Sequence, residues 1–287
     1  MNEAQVPVAG RTVRVLTWMR VHWIKTAILL MAGIVVVELG TIPWFAIPSL
    51  ATEAPAETAL MRQRRDEALD GGRPLSITKR WIALSRLPRY VTDAVIVAED
   101  GTFYVHGGID WFEVEASFEK NWKTKRFTRG ASTITQQLAK NLYLSTSKDP
   151  VRKLKEVVIT LLLEHYLTKD RILELYLNNI EWGRGVFGIE TAAQKYFGKS
   201  ASRLTLDEAT RLAAVIPSPL RHRPDDDSRY VLRRKNIVIA RLQARNKLPT
   251  TQEDTTDQDM IPSGIAPGDS AAPADSLDFE EEEPNGL

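Results

Sequence analysis

Residues 98–110 read AEDGTFYVHGGID, residues 129–144 read RGASTITQQLAKNLYL, and residues 152–156 read RKLKE. The span holds two acids placed to act as catalysts, Glu99 and Glu156, separated by hydroxyls, amides and a lysine. Between 129 and 141 the only large apolar side chains are Ile134 and Leu138, against Arg129, Ser132, Thr133, Thr135, Gln136, Gln137, Lys140 and Asn141. Donors at that density suit an anionic, oxygen-rich ligand such as a phosphate or a sugar. Gly130 and Ala131 let such a ligand approach the backbone. The same composition also describes a solvated loop. Glu99 follows the apolar run AVIVA, and Gly101 after Asp100 suggests a break that sets the acid at a rim; its plainer reading is a surface glutamate. Glu156 lies four residues after Arg152 and three after Lys153, so one helix face presents two cations and an acid. That spacing equally describes a surface ion-pair cluster of little energetic weight.

Outward from this span, residues 60–248 read as mostly helical. Leu154, Val157, Val158, Leu161, Leu162 and His165 recur at helical spacing behind Pro150, and Thr205 with Glu208 forms a capping box ahead of LDEATRLAAVI. Ser228 is placed to cap a last helix whose Arg229, Arg233, Arg234, Lys235 and Arg241 make a basic surface. Alternation of β-branched residues over a strand length is hard to find, so the fold class is mainly α. Before this body, residues 1–25 are polar and basic, and residues 26–48 are apolar apart from Glu38. That length suits a single membrane-spanning helix better than a cleaved leader, with Trp23 and Trp44 at the two interfaces. Residues 49–59, small and Pro-containing, read as a linker, and residues 249–287 as an acidic, disordered tail.

That tail holds eleven acids and no Lys or Arg, so the net charge of +1 hides a body of +12, which points to an anionic partner or surface. With no cysteine, a disulfide framework and thiolate chemistry are excluded. His22, His106, His165 and His222 lack metal-ligand spacing, and no metal site is assigned. Ser145 to Lys148 spells S-x-x-K, but neither S-D-N nor K-T-G follows; Gly198-Lys199-Ser200 ends like a P-loop, but Ala193 stands where its first glycine belongs.

The blocks containing Glu99-Asp100, Phe103, His106, Gly108 and Asp110, then Gly130 to Leu142, then Arg152-Lys153 and Glu156, resemble the signature blocks of the peptidoglycan glycosyltransferases. The likeness continues through ILELYLNNIEWGRGVFGIETAAQKYFGK and LTLDEATRLAAVIPSPLRHRP, covering residues 82–241. It implies a lysozyme-like, two-lobed helical domain that polymerises lipid II. Glu99 would deprotonate the 4-hydroxyl of the acceptor GlcNAc, which attacks C1 of the donor MurNAc and expels undecaprenyl diphosphate with inversion. Glu156 would assist departure or hold the neighbouring cations. Asp100, Phe103, His106, Ser132, Thr133, Gln136, Gln137, Lys140, Asn141, Lys148, Arg152 and Lys153 become the candidates for substrate binding. Magnesium or manganese often assists in the family, and no organic cofactor is implied. The expected partners are lipid II, the growing glycan strand, the bilayer and other cell-wall synthesis proteins, with no nucleic acid. The expected place is a bacterial inner membrane, crossed once, with the N-terminus cytoplasmic and the catalytic domain periplasmic. Arg62, Arg64 and Arg65 at the far end of the span weaken the charge argument for that orientation. No transpeptidase-like segment follows residue 248.

Two other classes stay open on the sequence. A lysozyme-type glycan-cleaving enzyme also uses two carboxylates in an α-rich domain, but has no need of the cations around Glu156. A non-catalytic, membrane-anchored module would keep the phosphate-gripping residues without turnover.

Overall fold

The computed structural model describes residues 22–124, 132–146 and 149–247. In chain order its α-helices are α1 (Trp23–Gly40), α2 (Ala46–Ser49), α3 (Ala59–Asp70), α4 (Arg89–Glu99), α5 (Trp111–Thr124), α6 (Ile134–Tyr143), α7 (Pro150–Tyr166), α8 (Lys169–Asn179), α9 (Ile189–Phe197), α10 (Leu206–Val215) and α11 (Arg229–Lys247). Three short strands, β1 (Thr78–Lys79), β2 (Glu181–Gly183) and β3 (Val186–Phe187), form a small sheet ordered β1-β3-β2. β2 and β3 pair antiparallel, and β1 joins β3 in parallel. The molecule is mainly α, as its periodicity predicts.

Helix α8 is the centre. Ile172, Leu173, Leu175, Tyr176, Leu177, Asn178 and Asn179 are all buried, so almost every face of its second half meets protein. Its two buried amides are satisfied. Asn178 accepts from the Ile82 amide at 2.9 Å and donates to the Ile82 carbonyl at 2.9 Å, which pins the chain ahead of α4 to the core. Asn179 donates to the Leu175 carbonyl. Helix α4 buries Val91, Ala94 and Val95 and packs against α10 and α11. It stops because Asp100 is extended, which leaves Glu99 as the last helical residue. Helix α6 buries Ile134, Leu138, Ala139 and Leu142 against α7 and α8. Asp149 accepts from the amides of Val151 and Arg152 and Pro150 opens α7, the start signal expected there. The capping box of Thr205 and Glu208 is present.

The N-terminal boundaries differ from those drawn on the sequence. The apolar helix covers Trp23–Gly40, not 26–48; none of it is buried, and it is long and apolar enough to cross a membrane. The apolar residues beyond it serve another purpose: Ile42, Ile47 and Leu50 are buried in the main core, where each contributes roughly 1.5–3 kcal/mol. The stretch 49–59 is not a free linker either. Arg171 donates to the carbonyls of Leu50 and Glu53, both at 2.7 Å, Lys79 donates to that of Pro55 at 2.5 Å, and buried Thr58 caps α3. At the end of α1, Glu38 forms an ion pair with Lys155 of α7. The tail 249–287 lies outside the described residues.

Candidate active site

Three elements meet at Glu99: the end of α4, the outward face of α6 and a face of α11. Glu99 is partly buried, and its Oε2 accepts a hydrogen bond from Gln137 Nε2 at 2.9 Å. Burial pushes its carboxyl above the usual range and Asp100 adds to this, while the Gln137 hydrogen bond and the Arg234 and Arg241 cations pull the other way. Gln137 is itself fixed, because its Oε1 accepts from the buried Tyr176 hydroxyl at 2.9 Å.

Helix α6 carries most of the predicted binding residues, and its start explains their order. Thr133 accepts from the Gln136 amide at 3.2 Å, and Gln136 Oε1 accepts from the Thr133 amide at 3.1 Å. This capping box fixes the helix phase. Gln137, Lys140 and Asn141 then share a face, at i, i+3 and i+4. Lys140 lies within electrostatic range of both Glu156 and Glu99, and burial lowers its ammonium below the ordinary lysine range despite both acids. Asn141 is buried, and Ser132, just before the cap, is exposed.

Several of the residues expected to meet substrate hold one another. Asp100 is buried; its Oδ2 accepts from the Ile134 amide at 3.0 Å, and its carboxylate lies 2.9 and 3.1 Å from His106 Nε2. The Gly108 amide donates to His106 Nδ1 at 3.1 Å, so the histidine proton sits on Nε2, facing Asp100. The Gly108 carbonyl accepts from Thr133 Oγ1 at 2.6 Å. Gly108 has φ of 90°, and a Cβ there would come within 2.7 Å of Glu164 and 2.8 Å of Thr160, both on α7. Only glycine fits. Phe103 is fully buried, with Lys169 Nζ 4.6 Å from its ring centroid. Asp100, Phe103, His106, Thr133 and Gln136 therefore brace the loop after Glu99 onto α6 and α7.

Glu156 is 3% exposed and is gripped on both oxygens by its own helix, by Arg152 Nη1 at 2.8 Å and by Lys153 Nζ. A buried acid with two cations differs from the surface cluster its spacing also allows. Lys148 lies outside the described residues, as do Arg129, Gly130 and Ala131. Among the described residues no group of three or more His, Asp or Glu converges as metal ligands. The nearby acids do not fit a preformed cage, since Asp100 serves His106 and the α6 amide while Glu156 serves Arg152 and Lys153.

The sequence reading missed what α11 and α8 supply. Arg234 and Arg241 act electrostatically on Glu99, and Arg241 Nη1 donates to the Val97 carbonyl at 3.0 Å, at the end of α4. Tyr230, Arg234 and Arg241, at i, i+4 and i+11, share a helix face with Arg245, at i+15, while Arg229 and Lys235 lie off it. Tyr176 had no such signal, being one apolar-facing residue in a buried helix.

Residues 72–243 match the transglycosylase family. The chain belongs to the transglycosylase family. Among similar proteins, the biosynthetic peptidoglycan transglycosylase of Methylobacillus flagellatus is 44% identical over 188 residues, covering 66% of this chain and 82% of that relative. The one from Dechloromonas aromatica is 38% identical over 224 residues, covering 78% and 96%. That of Chromobacterium violaceum is 42% identical over 195 residues, covering 68% and 85%. A transglycosylase domain is a lysozyme-like helical glycosyltransferase, which agrees with the mainly α architecture. The match spans both acids, the α6 face and, on α11, Arg234 and Arg241.

Proposed function

We propose that this transglycosylase is a membrane-anchored peptidoglycan glycosyltransferase that polymerises lipid II. The observation that carries the reading is the setting of Glu99. A partly buried carboxyl with a raised pKa, held on one oxygen by Gln137, is a base tuned upward from an ordinary glutamate. Oε1 is then the oxygen left for the acceptor. The acceptor GlcNAc 4-hydroxyl gives its proton to Glu99 Oε1 as its oxygen bonds to C1 of the donor MurNAc. The C1–O bond to the diphosphate breaks on the opposite face, so the configuration inverts and the electron pair leaves with undecaprenyl diphosphate.

Charge grows on that diphosphate, and desolvated Lys140 with Arg152 and Lys153 supplies the answering cations. Glu156 holds Arg152 and Lys153 in place; with both its oxygens engaged, orientation suits it better than proton donation. Ser132, Asn141 and Lys148 remain candidates for contacts to sugar and phosphate. A magnesium or manganese ion would be carried by the diphosphate itself, since the described residues form no cage for it. Helix α1 crosses the inner membrane once, its basic N-terminus cytoplasmic and the catalytic body periplasmic.

The test is incubation of the full chain in detergent with purified lipid II, following polymer formation and release of undecaprenyl diphosphate. Both products are expected. Fragments released from purified sacculi without polymerisation would replace this reading with a lysozyme-type hydrolase.

A further inference from the structure

Tyr176 lies in the second half of α8, fully buried, 39 residues from Gln137 in sequence and with its hydroxyl 2.9 Å from Gln137 Oε1. Gln137 turns its other amide atom, Nε2, onto Glu99 Oε2 at 2.9 Å. A glutamine side chain has an acceptor end and a donor end at similar size, so its orientation beside a carboxylate is a chemical choice. If the amide turned over, its oxygen would face the Glu99 oxygens and favour only the protonated acid.

We infer that Tyr176 is a positioning residue for the base: by donating to Gln137 Oε1 it locks the amide with its N–H toward Glu99, and so holds Glu99 as an aligned, hydrogen-bonded carboxylate. This rests on the reading of Glu99 as the base. The phenol suits the task, because its own burial, with Glu99 and Asp100 nearby, pushes its pKa well up and it stays a donor at every working pH. The other groups acting on Glu99 are Asp100 beside it, Lys140 on α6, and Tyr230, Arg234 and Arg241 on α11. None of them needs the Tyr176 hydroxyl.

Tyr176→Phe removes one hydroxyl and keeps the ring that fills the core. The pH profile of turnover by the full chain on lipid II in detergent is the test, with Glu99→Gln as reference. The acid limb of Tyr176→Phe should move to higher pH, giving several-fold slower turnover below the native limb and a plateau within about threefold of native. Gln137→Met should move the limb the same way, and Tyr176→Phe combined with Gln137→Met should move it no further than Gln137→Met alone, because the two act through one bond. A native limb in Tyr176→Phe, with Glu99→Gln inactive, would leave Tyr176 as a core residue and overturn the inference alone. An additive shift in the double variant would overturn it too. Polymerisation by folded Glu99→Gln would instead remove the base and this proposal with it.

Discussion

At the scale of single residues, Glu99 and Lys140, both with displaced pKa values, set opposite expectations. Burial raises the Glu99 carboxyl above its unfolded value, so the native state prefers the proton. Its charge then costs stability above the folded pKa and costs nothing below the unfolded one. Glu99→Gln should therefore stabilise the fold at neutral pH, on the order of 1 kcal/mol, while abolishing turnover. The gain should fall away as the pH drops from the raised folded value to the ordinary carboxylate value, which thermal melts at several pH values would show. A Glu99→Gln variant less stable than native at neutral pH would mean that the carboxylate is well solvated by its surroundings. Lys140 is the reverse case. Burial lowers its ammonium, so the charge is lost as pH rises through a value below that of an ordinary lysine. The alkaline limb of turnover should lie correspondingly low. Lys140→Arg does not titrate and should push that limb upward, at reduced plateau turnover because a planar fork replaces a compact charge. An alkaline limb unmoved by Lys140→Arg would assign it to another group.

At the scale of elements, the join between anchor and body is the part whose structure most changes expectation. Read as composition, ATEAPAET is a linker, and a domain beginning near Leu60 would be complete. Its context makes it part of the fold: the core holds Ile42, Ile47 and Leu50, and Thr58 caps α3. Removing residues 1–40 should leave a folded, active protein with lower surface concentration on membranes. Removing residues 1–59 should cost several kcal/mol, because loss of each large core side chain is worth roughly 2–5. Denaturant unfolding of the two truncations compares them directly. Equal midpoints would show that 41–59 adds nothing to the core. Helix α7 ties this join to chemistry, since Lys155, which pairs with Glu38, lies between Lys153 and Glu156.

At the scale of the whole molecule, charge is divided between a body of +12 and a tail of −11. Exposed charges act over about 10 Å at 0.1 M salt, so the tail can compete for the basic cleft only at low ionic strength. Deleting 249–287 should leave turnover unchanged at high salt and unchanged or modestly raised at low salt; a large loss in a folded protein would make the tail a functional segment. Much of this architecture was legible in the sequence where the cause is local. The caps at Thr205 and Asp149–Pro150, the helical period of α7 and the stop after Glu99 all act within a few residues. The site was legible through its blocks, but the roles inside them were not. The sequence does not reveal that Asp100 and His106 bond to each other, and buried Asn178 finds its partners at Ile82, 96 residues away. Tyr176, Arg234 and Arg241 reach the base from helices whose patterns spell only core or basic surface.

The proposed chemistry rests on Glu99 taking the acceptor's proton. Single-turnover polymerisation of lipid II by Glu99→Gln, alongside retention of a non-reactive lipid diphosphate analogue, tests this most directly. The rate should fall by about a hundredfold or more, as for loss of a general base, with binding of the analogue intact. Near-native polymerisation by a folded Glu99→Gln protein would contradict it.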